Sequence, residues 1–539
     1  MTSRRNLLLA VPPALFLGAF FVYPVASILA LGLGSAEGPG ASAFGDAIAN
    51  GPLLRAAWFT TWQATVSTLL TLIVAFPAAV VFGRYDFPGK AALRAAITVP
   101  FVMPTVVVAS AFLTLLGPGG PLGVDLRRSV WAILIAHVFY NYAVIVRSVS
   151  SALENLDPSL EDAARTLGAT RLAAFRRITL PVIMPSVVAA ASLVFLFTFT
   201  SFGVVLILGG LEFSTLEVAI WRATTQRLDL ALAAVIAIVQ LVGVSTILVL
   251  LSRTQRVRRT EVPLVASPSR VRRPATTGER WTVAGVVGAT ILFLGVPLAV
   301  LVVRSLSFGG RFSLQNYGEL ATRDPRGLFV PPAESIGNSL SFAIPATILA
   351  VGIGLFAAAY LSRESRRLAE AFDTLLMLPL GTSAVTIGFG FLVALDQPVD
   401  LRANPAIIPI AHALVAIPIV VRVTTPVMRS IRTRLREAAS VLGAPPRSVW
   451  RLIDLPIIGR AIAVAAGFAF AVSLGEFGAS SFIVRPDRPT LPTAIFRLLG
   501  FPGDATYGQA MALATILMVL TGVAVMAIDR FRLGVQADF

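Results

Sequence analysis

Asp162-Ala163-Ala164, three residues, Gly168, nine residues, Ile178, one residue, Leu180-Pro181: this stretch returns later in the 539-residue chain as Glu437-Ala438-Ala439, Gly443, Ile453 and Leu455-Pro456, with the same internal spacing. The positions 443 minus 168, 453 minus 178 and 456 minus 181 all differ by 275. A gap-free register of this length marks a duplicated unit. It extends outward: Ala136-His137 matches Ala411-His412, Arg147 matches Arg422, and Phe202-Gly203 matches Phe477-Gly478, all at the offset of 275. Thr215-Leu216, Ala219, Ile220 and Arg222 match Thr490-Leu491, Ala494, Ile495 and Arg497 in the same way. Nearer the front, Arg84 and Pro100 pair with Arg363 and Pro379 at an offset of 279, which puts a four-residue length difference in the loop before the histidines.

Composition places both copies in a membrane. Hydrophobic residues make up 56% and charged residues only 13% of the chain, against roughly 25% charged in soluble domains, and mean hydropathy is +0.82. With no cysteine there is no disulfide framework or thiolate metal site. Runs of about 20 apolar residues, the length that spans some 30 Å of hydrocarbon, predict twelve membrane helices. The expected spans are 7–33, 57–82, 95–117, 130–150, 182–208 and 231–251, then 281–306, 338–361, 373–395, 405–425, 458–484 and 508–529. The fold class expected is an all-α integral membrane protein of two homologous six-helix halves. Residues 1–251 form the first half, 252–280 a basic linker and 281–539 the second half.

Arginine placement orients the helices, because short cytoplasmic loops collect basic residues. Arg4 and Arg5, the Arg84–Arg94 loop, Arg165–Arg177, the 252–280 segment, Arg363–Arg367 and Arg432–Arg451 all fall on one side. Both termini are then cytoplasmic, with Arg127-Arg128 as an exception on an outside loop. The net charge of +16 is read as topology and attraction to anionic lipid rather than as a nucleic-acid surface. The first span, with Pro12-Pro13 and Tyr23-Pro24, reads as a retained helix rather than a cleaved signal. The segment 252–280, with eight arginines and Pro263, Pro268 and Pro274, reads as a flexible cytoplasmic linker.

The duplicated motif reads as a helical elbow before the fifth span of each half, over 157–181 and 432–456. Asp157-Pro158 is an N-cap followed by proline at the first helical position. Gly168 ends the short helix in the left-handed conformation that glycine tolerates, and a second short helix starts near Thr170 or Pro446. The Ala163-Ala164 and Ala438-Ala439 pairs allow close approach of a partner backbone, and Phe175 and Trp450 offer an aromatic knob. Together these make a docking element.

At these residues the sequence resembles the EAA loop of ABC importer permeases, with Asp162 replacing the first Glu of the first copy. The fused halves, Ala-His-Val-Phe at 136–139, Ser-Leu-Gly-Glu-Phe-Gly at 473–478, and Leu-Gly-Gly with Thr-Leu-Glu-Val-Ala-Ile-Trp within 208–221 resemble the ferric-iron and thiamine permeases over essentially the whole length. The resemblance implies a type I ABC importer permease (MetI-like) fold in a bacterial inner membrane. It also implies a coupling helix that inserts into a cleft of the ATPase, and a complex with two copies of an ABC ATPase and an extracytoplasmic substrate-binding protein. Asp162, Ala163, Ala164, Gly168, Phe175, Glu437, Ala438, Ala439, Gly443 and Trp450 would carry the coupling.

No Gly-x-x-x-x-Gly-Lys-Ser/Thr run is present, so ATP and magnesium are expected on the partner ATPase, and no catalytic residue, metal site or cofactor is expected in this chain. Ser201, Gly203, Glu476, Gly478, His137 and His412 are the candidate pathway residues. Glu476 is an acid in an apolar span and a functional candidate by default; its repeat partner is Ser201. The alternatives for it are a bond to a neighbouring helix or a wet helix end. The two histidines could form a metal or proton site near the internal axis, but a structural hydrogen-bonded role is favoured. Glu212, Glu217, Arg222 and Arg497 are expected on extracellular loops or re-entrant pieces. The substrate reading leans to ferric iron, with thiamine a near-equal alternative. An ion-gradient-driven secondary transporter with two repeats is the rival class, and it leaves the two elbows unexplained.

Overall fold

The computed structural model of the protein describes residues 2–34, 45, 51–118, 120–257, 271–322, 328–363, 366–396, 400–431 and 433–532. Ten helices in it are long and apolar enough to cross a membrane. Two further spans are bent pairs: Lys90–Val102 with Thr105–Leu115 at 98°, and Leu368–Pro379 with Ala384–Ala394 at 87°. The third span of each half, expected as one straight helix over 95–117 and 373–395, is therefore broken. Proline explains the first break, because Pro104 lacks an N–H to continue the ladder and its carbonyl instead accepts from Val107 and Val108. In the second half Ser383 occupies the equivalent position and caps the new helix by accepting from the N–H groups of Val385 and Thr386. Such breaks are tolerated at membrane depth only inside protein, and both second arms are almost wholly buried.

The first helix of each half packs on the other half. Thr2–Leu17 lies against Glu334–Arg363, and Tyr23–Leu33 lies against Ala384–Ala394, with the Phe20 ring 6.2 Å from Phe391. Reciprocally, Thr277–Ser305 packs on Thr105–Leu115 and Pro52–Arg84. There Thr290 Oγ1 lies 2.9 Å from Tyr142 Oη, and Phe293 meets Phe139 and Tyr142. The halves of the sequence are thus interlocked in space.

The fifth spans also differ from expectation. Helices 171–199 and 447–475 run without interruption from the elbow into the bilayer through equivalent π-helical turns, Phe175–Thr179 and Trp450–Asp454. Leu180-Pro181 and Leu455-Pro456 sit where the π-helical turn passes into the α-helical stretch that follows. Each helix then ends earlier than the expected spans 182–208 and 458–484. Short helices Gly203–Leu208 and Ser480–Ile483 follow the break. Beyond them, Leu216–Thr225 crosses to the Ala384–Ala394 arm of the other half, and Leu491–Leu499 crosses to Thr105–Leu115. Equivalent bonds anchor the crossing helices in their own halves: Leu216 N–H donates to Thr60 Oγ1 at 2.9 Å, and Leu491 N–H to Ser339 Oγ at 2.7 Å.

Part of the expected flexible linker is docked. Residues 258–270, including Pro263 and Pro268, lie outside the described residues. The described end is pinned: Asp86 N–H donates to the Arg272 carbonyl and Arg272 N–H to that of Arg84. Glu279, which closes a capping box with Thr276, takes both Arg272 at 2.6 Å and Arg171 of the first elbow at 3.3 Å.

Candidate functional site

The first elbow starts as the spacing predicts. Asp157 accepts from the Ser159 N–H, opening Pro158–Thr166, and Thr170 accepts from the Ala173 N–H, opening the second arm. Gly168 and Gly443 have φ of 92° and 80°. A Cβ at either would meet nothing within 4 Å, so glycine answers to the left-handed backbone alone. Asp162, Ala163, Ala164, Glu437, Ala438 and Ala439 all lie on the short helices Pro158–Thr166 and Thr433–Val441, and Leu167 and Leu442 next to the glycines are more than 85% exposed.

The two arms of each elbow are tied together at the same two positions by opposite chemistry. In the first, Glu161 accepts from Thr179 Oγ1 at 3.2 Å and from Arg84 at 2.6 Å. In the second, Arg436 donates to Asp454 at 2.8 Å. Position 161 is equivalent to 436, and 179 to 454, by the offset of 275; the acid has moved from one arm to the other.

The aromatic positions of the two elbows are placed differently. Trp450 is 48% exposed. Phe175 is turned into the chain instead, edge-on to Phe76 at 6.3 Å and under the Arg84 guanidinium at 5.2 Å. That cation–π contact and the ring pair hold Phe175 against the chain.

Both histidines are buried, and each is satisfied within its own half. His137 Nδ1 lies 3.0 Å from Ser67 Oγ and its Nε2 2.8 Å from Ser201 Oγ. His412 Nδ1 lies 2.8 Å from Ser473 Oγ and its Nε2 2.8 Å from Ser480 Oγ. Among the described residues no group of three or more His, Asp or Glu could hold a metal ion. The structure does bring His412 and Glu476 together, at 3.4 Å. Ser201, the repeat partner of Glu476, faces His137 in the same way.

Glu476 does not lie in a continuous span. It caps the end of Leu455–Gly475, and its carboxylate accepts the N–H groups of Ala479 at 2.8 Å and Ser480 at 2.9 Å, and the Ser480 hydroxyl at 2.8 Å. Because the Ser480 hydroxyl donates to Glu476, it accepts from His412 Nε2. At 6% exposure this is no wet helix end. Gly203 and Gly478 back the two breaks: a Cβ on Gly203 would lie 2.4 Å from Thr105 Oγ1, and one on Gly478 2.9 Å from Ala384 Cβ, equivalent neighbours.

Glu217, expected on an extracellular loop or a re-entrant piece, is fully buried in the first turn of the short helix Leu216–Thr225. Gln240 donates to it at 2.7 Å and Ser383 of the other half also donates to it. Proline, Pro492, stands at the equivalent site. Arg222 lies near it in sequence and donates to the carbonyls of Leu211 and Gly210. The exceptional Arg127 also has a partner: it is bonded to Asp125 at 3.0 Å, as Arg402 is to Asp400 at 2.9 Å. These Asp-Leu-Arg turns at 125–127 and 400–402 belong to the repeat. The arginine bonds hold both aspartates below the usual carboxylate range.

Comparison with known proteins closes the case for the class. The family described as binding-protein-dependent transport system inner membrane component matches residues 75–261 and again residues 350–531. The thiamine transport system permease protein of Brucella abortus (strain 2308) is 31% identical over 494 residues, covering 89% of this chain and 88% of that protein. That of Salmonella typhimurium is 28% identical over 543 residues, covering 97% of each. The sulfate transport system permease protein CysT of Salmonella typhimurium is 34% identical over 182 residues, which is 29% of this chain and 66% of that protein. The chain belongs to the binding-protein-dependent transport system inner membrane components: it is an ABC importer permease with two family domains fused, a multi-pass inner membrane transport protein and not an enzyme.

Proposed function

We propose that the protein imports thiamine delivered by an extracytoplasmic binding protein, driven by ATP and magnesium on two copies of a separate ABC ATPase. The observation that carries the substrate is the likeness to thiamine permeases of Brucella and Salmonella over 88% to 97% of their lengths. It outweighs the lean to ferric iron, for which the comparisons offer no specific support. The buried acids Glu217 and Glu476 suit a substrate with a fixed cationic ring better than a basic lining would.

The elbows 157–181 and 432–456 are the proposed ATPase docking points, with both termini cytoplasmic. Asp162, Ala163, Ala164 and Gly168 serve one copy, and Glu437, Ala438, Ala439, Gly443 and Trp450 the other. Phe175 supports its elbow from within. Closure of the two ATPase subunits would tilt the halves by contacts that differ between the two states, exposing Ser201, Gly203, Glu476 and Gly478 to alternate sides, with His137 and His412 bracing the breaks. Thiamine and ferric iron uptake, measured in proteoliposomes with the ATPase and binding protein, tests this. ATP-dependent thiamine uptake at a ratio of two ATPases per chain is expected. Iron uptake alone would overturn the substrate, and a stable complex with a single ATPase copy would overturn the assembly.

A further inference from the structure

Two ring contacts join residues to their own repeat equivalents. Phe202 stacks on Phe477, with centroids 5.3 Å and planes 28° apart. Trp221 meets Phe496 edge-on at 5.7 Å. Positions 477 minus 202 and 496 minus 221 both give the repeat offset of 275. Where two related halves meet, equivalent points touch each other only at the axis that relates them. The four rings therefore straddle the internal axis, and Phe202–Trp221 at 6.5 Å and Phe477–Phe496 at 5.3 Å complete the set within each half.

Their setting is that of a closure between moving parts. Phe202 and Phe477 follow the breaks that end the fifth helices, and Trp221 and Phe496 ride on the helices that cross between halves. Any motion that parts the halves at the axis must separate these pairs. The phenylalanines are buried, at 7% and 2% exposure, so no water-sized gap reaches their contact. Trp221 Nε1 is buried without a hydrogen-bond partner in this state, although a buried indole N–H ordinarily has one.

The chemistry of the rings selects the ligand. Aromatic faces attract organic cations through the ring quadrupole. They offer no oxygen ligand to a hard metal ion, which requires one, and no counter-charge that would trap the cargo. We propose that Phe202, Trp221, Phe477 and Phe496 form the gate of the pathway on the internal two-fold axis, and that the parted ring faces are a transient site for a cationic organic ring. This rests on the thiamine reading for its ligand.

The test uses the full complex in proteoliposomes. Phe202→Leu with Phe477→Leu keeps apolar bulk but removes the ring faces, whereas Phe202→Tyr with Phe477→Tyr keeps them. Thiamine uptake should fall at least tenfold in the leucine pair and stay within threefold of wild type in the tyrosine pair, while ATPase activity stimulated by the binding protein persists in both. Without ATP, vesicles carrying Phe202→Ala with Phe477→Ala should leak trapped radiolabelled choline faster than wild type. Wild-type thiamine uptake by the leucine pair would overturn the cation site, and alanine-pair vesicles as tight as wild type would overturn the gate. Failure of the wild-type complex to carry thiamine would instead sink the substrate reading, and with it the ligand assigned to the rings, leaving the choline leak to decide the gate.

Discussion

The two halves of this protein share a backbone frame and differ in the polar groups that lock it. Where the first half sets Ser201 against His137, the second sets Glu476 against His412. Where the first elbow is tied by Glu161 to Thr179 and Arg84, the second is tied by Arg436 to Asp454. Glu217 bridges to Ser383, whereas its repeat position holds Pro492. Among the retained residues are some whose role is conformational: the left-handed glycines and the glycines behind the breaks. A φ near 80° or 90° has no substitute chemistry, whereas a hydrogen bond needs only a complementary pair, which can be exchanged as a unit.

The sharpest way to break this comparison is to remove the lock that the halves do not share. Glu476→Leu leaves two backbone N–H groups and the Ser480 hydroxyl without their acceptor. It should cost about 3 kcal/mol or more, read as a lowered thermal midpoint of the detergent-solubilised protein. Ser201→Ala frees only His137 Nε2 and should cost about 1 kcal/mol. Equal losses from the two would show that the halves rely on this position alike.

Next in size are Gly168→Val and Gly443→Val. Each should strain its elbow by about 1–2 kcal/mol, because the space around both is open and only the backbone resists. The protein should still insert, while binding-protein-stimulated ATPase activity and thiamine uptake drop together. Wild-type uptake in the double variant would remove the elbows from coupling.

A smaller effect tests whether the locks are exchangeable. Arg436→Glu sets two acids against each other and should cost about 1 kcal/mol; adding Asp454→Thr rebuilds the first-half pair and should recover most of it, a coupling that a double-mutant cycle measures. The absence of recovery would mean that the second elbow depends on more than complementarity. Smallest is Arg402→Ala. Its ion pair with Asp400 is on the surface, so a change in stability within about 0.5 kcal/mol is expected; a larger loss would make the repeated Asp-Leu-Arg turns structural.

The permease class came from the resemblance of the motifs to a known family, whereas spacing and hydropathy by themselves determined the duplication, the twelve-segment membrane fold, and the elbows with their left-handed glycines. Those features are local or periodic, so each residue's neighbours along the chain suffice to specify them. The breaks at Pro104 and Ser383 escaped because an apolar count measures length and is blind to a bend of 98° or 87°. Phe202-Gly203 and Phe477-Gly478 were visible as a matched pair, and the Asp-Leu-Arg turns could have been found at the same offset. That the phenylalanines stack on each other was not visible. Only the tertiary structure decided this contact, along with the exchange of first helices, the burial of Glu217 and the inward turn of Phe175. Each depends on a partner from a distant segment, and within a membrane, where apolar helix faces are interchangeable to lipid, packing and polar complementarity between helices choose that partner.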